Sequence, residues 1–261
     1  MRTRFLLGLL LGIVVGVAVG GAAFREYARP DPPRRAVKAA PSDTGWPRVS
    51  YAQQGEDILA RGLFDSLGVA HPTYIDIGAY HPFVNNNTYL FFRTGSHGVL
   101  VEPNPAFTEP LRRGRPGDRV LPIGIGTTDA TEADYYVLAG PGQDNTFSKA
   151  QADELVRQHG KAALERVIKV PLRTINRVLD ETFPAGAPDF FSIDIEGMDL
   201  EVLQTLDFER HRPKVFCVET TAEGADHADA RIAALMTAHG YAARGGNLVN
   251  TFFVDTRLPL R

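Results

Sequence analysis

Two acidic residues, Asp76 and Glu102, lie at the ends of short apolar segments, where they could bind a ligand. The first segment, 73–77, is rich in β-branched and aromatic residues and breaks at Gly78-Ala79, which is typical of a buried strand followed by a tight loop. The second segment, 99–101, runs directly into Glu102. Ligands of open α/β sheets bind at the carboxyl ends of parallel strands, and an acid ending the second strand can accept hydrogen bonds from a ribose. The pattern predicts a nucleoside site.

The loop after Gly78 indicates which nucleoside would bind. A dinucleotide site needs G-x-G-x-x-G so that a pyrophosphate can approach the backbone, but this chain continues Ala79-Tyr80-His81-Pro82-Phe83. Pro82 also lacks an amide donor. A cofactor with a ribose and no phosphate fits better, and S-adenosylmethionine is the common one. The alternative is a structural βαβ turn with a chance acidic residue.

A second pair of acids, Asp194 and Glu196, follows the apolar segment 190–193 on alternate positions. A strand-end acid that faces the same crevice as Asp76 can orient a hydroxyl group, accept its proton or hold a metal. Glu196 can instead be a favourable charge at the start of the next helix. No His or third acid stands at ligand spacing, so we predict no metal. We predict catalytic roles for Asp194 and Glu196.

Helices must position these acids. Apolar residues at helical spacing predict a helix over 58–67, preceded by Gln53, Glu56 and Asp57, which either cap it or reach over the cofactor; capping is favoured for Asp57. Further helix starts are predicted from three capping residues and one proline. These are Asn87 for the helix 88–93, Asn104 with Pro105 for the helix ending at Gly114, and Thr174 for the helix carrying Ile175, Val178 and Leu179.

The middle of the chain has weaker patterns. The segment 120–125 predicts the third strand of the sheet, and Gly124 at its end either allows a flat base to approach or only makes a turn. Strands are also predicted at 134–137 and 167–170, with a helix through 150–159 between them. Long irregular connections are often functional, so we expect the segment 127–170 to include a lid over the acceptor.

The first 24 residues predict a membrane anchor. Residues 5–24 are uncharged and long enough to cross a bilayer as one helix, with Arg2 and Arg4 ahead of them. A cleaved signal peptide is the alternative, because Gly21-Ala22-Ala23 resembles a cleavage site. The stripe formed by Gly8, Gly12, Gly16 and Gly20 would let two anchors pack as a homodimer, although glycine is frequent in membrane helices.

Residues 25–49 predict an extended linker that is rich in Pro and Arg, and residues 50–261 a folded domain. Lys and Arg are more numerous in the linker than ahead of the anchor, which favours a single-pass protein with its domain in the cytosol. The chain has 261 residues, 44% of them hydrophobic, and a net charge of −3, which allows a sizeable core and gives no sign of nucleic-acid binding. The single Cys217 excludes an intramolecular disulfide.

The ordered motifs resemble the FkbM family of S-adenosylmethionine-dependent methyltransferases. The resemblance is carried by Ser50–Asp57, Asp76–Ala79, Asn87-Thr88, Val101–Asn104, Val170–Thr174 and Ser192–Asp199. The segments Val215–Glu219 and Asn250–Val254 are similar to the family's final strands, and the resemblance covers about Tyr51 to Asp255.

This resemblance implies an α/β domain with a Rossmann-like, seven-stranded class I methyltransferase fold that methylates a hydroxyl group of a sugar, glycan or natural product. It implies that Asp76, Gly78 and Ala79 line the methionine end of the cofactor, that Glu102 binds the ribose, and that Asp194 and Glu196 face the transfer site. We also assign Glu56, Pro103 and Gly124 to the cofactor site. The alternative function is a catalytically silent, membrane-tethered binding module.

Overall fold

The structure is a computed structural model that describes residues 49–140, 142, 145–195, 197–221 and 228–259. The predicted anchor, nearly all of the predicted linker and Glu196 lie outside these residues. Among the residues described, no helix has the length and apolar character needed to cross a membrane. The anchor at 5–24, its glycine stripe and the cytosolic orientation therefore stay predictions.

Helices and strands alternate along the described part of the chain. Its helices are α1 (Glu56–Leu67), α2 (Tyr89–Arg93), α3 (Pro105–Gly114), α4 (Lys149–His159), α5 (Ile175–Thr182), α6 (Asp199–Thr205) and α7 (Ala230–Ala238), with a short 3₁₀ turn at Lys161–Ala163. Its strands are β1 (Tyr74–Ile77), β2 (Gly98–Val101), β3 (Arg119–Leu121), β4 (Gly124–Gly126), β5 (Glu132–Leu138), β6 (Leu164–Thr174), β7 (Phe190–Ile193), β8 (Val215–Glu219), β9 (Tyr241–Gly246) and β10 (Asn250–Asp255).

Seven strands form one sheet in the order β3-β2-β1-β7-β8-β10-β9. The first five are parallel, and β10 runs antiparallel to both β8 and β9. The predicted seven-stranded α/β sheet is confirmed. The strand order reverses between β1 and β7, and ligands of open α/β sheets bind at such a switch point.

Helices cover both faces of this sheet because side chains alternate along each strand. Ile75 and Ile77 of β1 pack in a core with buried residues of α5, α6 and α7, among them Val178, Val202 and Ile232. Tyr74 belongs to a second core with buried residues of α1, α2 and α3, including Phe64, Phe91 and Leu111. Asp76 alternates with Ile75 and Ile77, which places a carboxylate among apolar layers.

The prediction of one strand over 120–125 is wrong, because this segment forms two short strands that belong to different sheets. Residues Arg119–Leu121 join the large sheet as β3, whereas Gly124–Gly126 pair in parallel with β6 in a separate three-stranded sheet, β4-β6-β5. Pro122 lies between them and has no amide hydrogen with which to continue the ladder. The chain therefore leaves the large sheet after Leu121.

The helix starts confirm two predicted cap positions and correct two others. Thr174 is the N-cap residue of α5, although its side chain makes no capping hydrogen bond. Asn104 accepts a hydrogen bond from the amide of Ala106 (3.0 Å), with Pro105 as the first residue of α3. The cap of α2 is Thr88 rather than Asn87, and neither caps through its side chain. Asp57 is also not the cap of α1, since Gly55 holds that position. The Asp57 carboxylate instead accepts hydrogen bonds from the Ser50 hydroxyl and the Tyr51 amide, which fixes the segment before the helix.

Candidate active site

A cavity of about 390 Å³ lies at the carboxyl ends of the central strands. Its volume falls within the range of small-molecule sites. Polar, acidic and aromatic residues from the two sheets and their loops line it. They are Gln53, Gln54, Gly78, Tyr80, Asn85, Glu102, Pro103, Tyr135, Gly142, Asn145, Thr146, Phe147, Asp194, Ile195, Glu219 and Val249. The structure thus brings together Gly78, Glu102, Pro103 and Asp194, as the sequence predicts.

Gly78 allows β1 and β7 to meet at the floor of this cavity. Its φ angle is +87°, and a Cβ atom built there would lie 1.9 Å from the main-chain oxygen of Asp194. The amides of Gly78 and Ala79 both donate to the carbonyl of Val101 (3.0 and 3.1 Å), so this turn also fixes the end of β2. Only glycine fits here, because L-residues disfavour the left-handed region and the approach leaves no room for a side chain.

We expect Gly78→Ala to destabilise the domain and to abolish cofactor binding. Left-handed strain alone costs about 1–3 kcal/mol, and displacement of the Asp194 backbone adds to that cost. The matched control is Gly68→Ala at the end of α1, where φ is +71° and nothing lies within 4 Å of the added Cβ. Urea unfolding and calorimetric titration with S-adenosylmethionine measure both effects. Equal losses in the two variants would contradict the close approach described for Gly78.

Glu102 directly follows β2 and is almost fully buried, with 5% of its surface exposed. One carboxylate oxygen accepts a hydrogen bond from the Tyr80 amide (2.8 Å) and the other accepts one from the Asn104 amide (2.7 Å). Burial raises the pKa of Glu102 to about 7, although these two hydrogen bonds oppose the shift. The two amides fix the carboxylate at the cavity wall and leave further acceptor lone pairs for a ligand.

The turn between β1 and α2 includes two non-glycine residues in the left-handed region. Tyr80 and Asn85 both have φ angles of +50°, and both line the cavity. Such backbone strain persists only where the surroundings enforce it, and it concentrates at functional sites. The hydrogen bond from the Tyr80 amide to Glu102 is one of the contacts that hold this conformation.

Asp76 lies just behind the cavity, where it is buried at the edge of a small adjoining space of about 20 Å³ that Ala79 also lines. Its Oδ2 atom accepts a hydrogen bond from the Thr88 hydroxyl (2.8 Å). Burial raises the pKa of Asp76, whereas the Thr88 hydrogen bond and the charge of Arg115 oppose this shift. Asp76 therefore lies behind the turn that follows Gly78, at the predicted methionine end of the site, and supports that turn.

Arg115 is a fully buried cation that organises this turn. Its guanidinium forms an ion pair with buried Asp118 (2.8 Å) and donates to the Thr88 hydroxyl (3.1 Å). It also donates to the Asn86 side chain (3.0 Å) and the Pro82 carbonyl (3.2 Å). One side chain thus connects the end of α3 with the loop that follows Gly78, and it contacts Asp76 through Thr88.

Asp194 directly follows β7, and its amide donates to the carbonyl of Ile77 at the end of β1 (3.0 Å). Its side chain faces the cavity. Burial raises the pKa of Asp194 to about 6, and the charges of Asp76 and Glu56 act in the same direction, whereas a hydrogen bond with Glu219 opposes them. A carboxyl group with a pKa near neutrality is suited to accept a proton from a bound hydroxyl group.

Asp199, the first residue of α6, is a buried acid close to Asp194. Its Oδ1 atom has no hydrogen-bond partner among the described residues. Burial raises the pKa of Asp199 to about 8, and the charge of Asp194 adds to this shift. Glu196, the other predicted catalytic residue, lies outside the described residues, so its role stays a prediction.

Glu56 is buried and holds two distant segments together. Its carboxylate accepts hydrogen bonds from the side chains of Asn247 (2.7 Å) and Asn250 (3.0 Å) and from the Gln54 amide (2.8 Å). These contacts attach the segment before α1 to the hairpin β9-β10. Glu56 lines the small space beside Asp76, whereas Gln53 and Gln54 line the main cavity.

Gly124 lies at the edge of the site but is crowded by the chain itself. A Cβ atom there would lie 2.4 Å from the ring of Phe147 and 2.7 Å from Leu172. The residue lines a narrow apolar space together with Gly78 and Pro103. This packing explains why glycine is needed, and the predicted contact with a base stays a prediction.

The three-stranded sheet supplies the wall opposite the loop after β1. Tyr135 of β5 packs against Phe147 with ring centroids 4.7 Å apart, and both rings line the cavity with Asn145 and Thr146. Residues of the segment 127–170 therefore line the cavity, and the lid predicted in this segment stays a prediction. Within the described residues, no group of three His, Cys, Asp or Glu side chains is arranged to hold a metal ion.

Two important residues were not predicted as site residues. Arg115 stands among the basic residues that end α3, and nothing in the local sequence distinguishes it from its exposed neighbours Arg112 and Arg113. For Glu219 a signal existed, since it ends the apolar segment Val215–Val218 as Glu102 ends its own. The rule applied to Asp76 and Glu102 extends to Glu219.

The fold and the cavity define an α/β protein with an acidic cavity at the switch point of its sheet, and the comparison with protein families specifies its class. The model of the methyltransferase FkbM domain matches residues 76–243, which is more than half of the chain. The protein therefore belongs to the FkbM methyltransferase family. This membership agrees with the predicted cofactor, S-adenosylmethionine. No curated protein matches the chain significantly.

Several solved methyltransferase structures are distantly similar. A TehB-like SAM-dependent methyltransferase from Corynebacterium glutamicum has 9% identity and a TM-score of 0.41, covering 77% of this chain and 88% of its own. A 1,6-didemethyltoxoflavin-N1-methyltransferase from Burkholderia thailandensis, with bound 1,6-didemethyltoxoflavin and S-adenosylhomocysteine, has 11% identity and a TM-score of 0.41, covering 78% and 80%. Magnesium protoporphyrin IX methyltransferase from Synechocystis PCC 6803, with bound SAM, has 8% identity and a TM-score of 0.39, covering 76% of each chain.

Proposed function

We propose that this protein is an S-adenosylmethionine-dependent O-methyltransferase that acts on a hydroxyl group of a sugar, glycan or natural-product-like acceptor. The observation that carries the proposal is the cavity at the switch point between β1 and β7, where Gly78, Glu102 and Asp194 meet. Family membership supports the methyl-transfer reaction. The choice of a hydroxyl acceptor rests on the sequence resemblance and on the carboxylates at the transfer site.

The residues present fit this cofactor. The missing side chain at Gly78 lets the Asp194 backbone approach, and Gly78 itself lines the cavity, where the methionine part can lie against it. Glu102 retains lone pairs for the ribose hydroxyls, while its two backbone hydrogen bonds hold it in place. Acidic groups around the cavity complement the positive charge of a sulfonium. The rings of Tyr80, Tyr135 and Phe147 offer faces for a planar base.

The mechanism then requires little covalent chemistry from the protein. S-adenosylmethionine supplies an activated methyl group when bound. The chain has to align the acceptor oxygen, exclude water and remove one proton. Asp194 accepts that proton, because its raised pKa makes it basic enough while leaving it ionised near neutral pH. We assign the acceptor side of the site to the wall formed by Asn145, Thr146 and Phe147, because these residues line the same cavity.

We expect Glu102→Ala to weaken S-adenosylmethionine binding by roughly ten-fold or more, because a charge-assisted hydrogen bond contributes about 1.5–3 kcal/mol. Calorimetric titration of the purified full-length chain measures this effect, with thermal unfolding as the test of folding. Glu109→Gln on the exposed face of α3 is the matched control and should bind like the wild type. Unchanged affinity in a folded Glu102→Ala variant would remove Glu102 from the ribose site.

The location and the acceptor belong to the proposal as well. We place the protein at the membrane through residues 5–24, with the domain in the cytosol, where S-adenosylmethionine is kept. Envelope glycans and lipid-linked sugars are then the acceptors within reach. Incubation of the full-length chain with methyl-labelled S-adenosylmethionine and these fractions tests the activity. Label in an alkali-stable ether would support O-methylation, whereas cofactor binding without any transferred label would favour the silent binding module.

A further inference from the structure

The register of the sheet places a second acidic residue beside Asp194. Strands β7 and β8 are parallel neighbours, and Ile193 pairs with Val218. The next residue of each strand is acidic, so Asp194 and Glu219 leave the sheet side by side at its carboxyl edge. Both residues line the main cavity, so the register brings two carboxyl groups together at its wall.

A hydrogen bond between two carboxyl groups requires a proton. An ionised carboxylate only accepts hydrogen bonds, so one member of the pair has to be protonated for the bond to form. Two carboxyl groups that leave adjacent strands side by side do not titrate independently, because ionisation of the first disfavours ionisation of the second. Such a pair holds one proton between its two members and carries a single negative charge.

The groups around Asp194 and Glu219 favour a single negative charge on the pair. The titratable groups that act on it are Glu56 from α1, Asp76 from β1, Asp199 from α6 and Cys217 from β8. None of these carries a positive charge, and each carboxylate among them opposes a second negative charge on the pair. The buried cation Arg115 does not pair with these two acids. It forms an ion pair with Asp118 and donates to the Thr88 hydroxyl, which hydrogen-bonds Asp76.

We propose that Glu219 and Asp194 form a single proton-sharing unit, in which Glu219 holds the Asp194 carboxyl group in position to take the acceptor's proton. This inference rests on the proposed function. In the transfer step the acceptor oxygen forms a bond to the methyl carbon, and the bond from that carbon to sulfur breaks with its electron pair remaining on sulfur. The proton leaves the acceptor oxygen for Asp194 and returns to solvent after the product departs. The proton that the pair already shares stays on the pair, and Glu219 acts as a positioning residue.

The direct test is a pH titration of the full-length chain with ¹³C-labelled Asp and Glu carboxyl groups, followed by NMR. Asp194→Asn identifies the Asp194 signal. In the wild type we expect the two signals to titrate together in two steps separated by more than about one pH unit. In Glu219→Gln the amide can donate to Asp194 in place of the shared proton, so Asp194 should titrate in one step and stay ionised to a lower pH than in Glu219→Met.

Glu109→Gln, an exposed carboxylate on α3, serves as the control and should leave both steps unchanged. If either Glu219 variant fails to fold, Asp194→Asn still reports the coupling through the Glu219 signal. Midpoints of Asp194 that are the same in the wild type, Glu219→Gln and Glu219→Met would overturn the proposal. A separate titration of the same samples with S-adenosylhomocysteine tests the proposed function. Absence of binding would contradict the cofactor site. The two titration steps are measured without ligand, so they test the acid pair independently of that result.

Discussion

Asp194→Asn should lower kcat by about 100-fold to 10,000-fold with little change in cofactor affinity, because the amide preserves the shape of the side chain but cannot accept a proton. The loss should be measured with the acceptor identified in the labelled fractions. Binding of S-adenosylmethionine to the same variant is the control for an intact site. Normal turnover would make Asp194 a structural residue.

The pH dependence of kcat/KM in the wild type is a second test of Asp194 as the base. Asp194 works as a base only when it is ionised, and burial raises its pKa to about 6. The value of kcat/KM should therefore rise as pH increases through about 6. In Asp194→Asn this rise should be absent from the residual activity.

Arg115→Met should lower the free energy of unfolding by about 3–5 kcal/mol, since removal of one partner of a buried ion pair leaves the other charge unpaired. Asp118, with its side chain fully buried, would be that charge. Cofactor affinity should fall as well, because Arg115 holds Asn86 and Thr88 in the loop after Gly78. Urea unfolding monitored by circular dichroism measures the first effect.

Arg112→Met is the matched control for this prediction. Arg112 lies on the same helix, is half exposed and pairs with exposed Glu109, so its replacement should change the free energy of unfolding by no more than about 1 kcal/mol. A second variant, Arg115→Met with Asp118→Asn, removes the unpaired charge and should recover part of the loss. Similar stabilities for the two single variants would show that the buried pair does not organise the turn.

The sequence predicted best those elements whose local pattern and tertiary role agree. The segment Val215–Glu219 is continuously apolar and ends in an acid, and it forms β8 over those residues. Asn104 and Pro105 start α3 as expected, because capping is a local interaction. The acids Glu102 and Asp194 reach one cavity because the carboxyl ends of parallel strands share one edge.

The sequence was less informative wherever distant contacts decide the outcome. Pro122 divides one apolar segment between two sheets, and only the pairing of β4 with β6 shows where its second half belongs. The burial of Arg115 depends on Asp118 and on the loop after Gly78. The left-handed conformation of Tyr80 has no signal in its residue type, since the hydrogen bond to Glu102 helps to enforce it.

The most direct test of the central claim is a crystal structure of the protein with S-adenosylhomocysteine, the product that the proposed reaction leaves in the site. We predict the ligand in the cavity between β1 and β7, with its ribose hydroxyls on Glu102 and its amino-acid part against Gly78. The sulfur should face Asp194. A ligand bound elsewhere on the domain, or a ribose directed away from Glu102, would contradict the account.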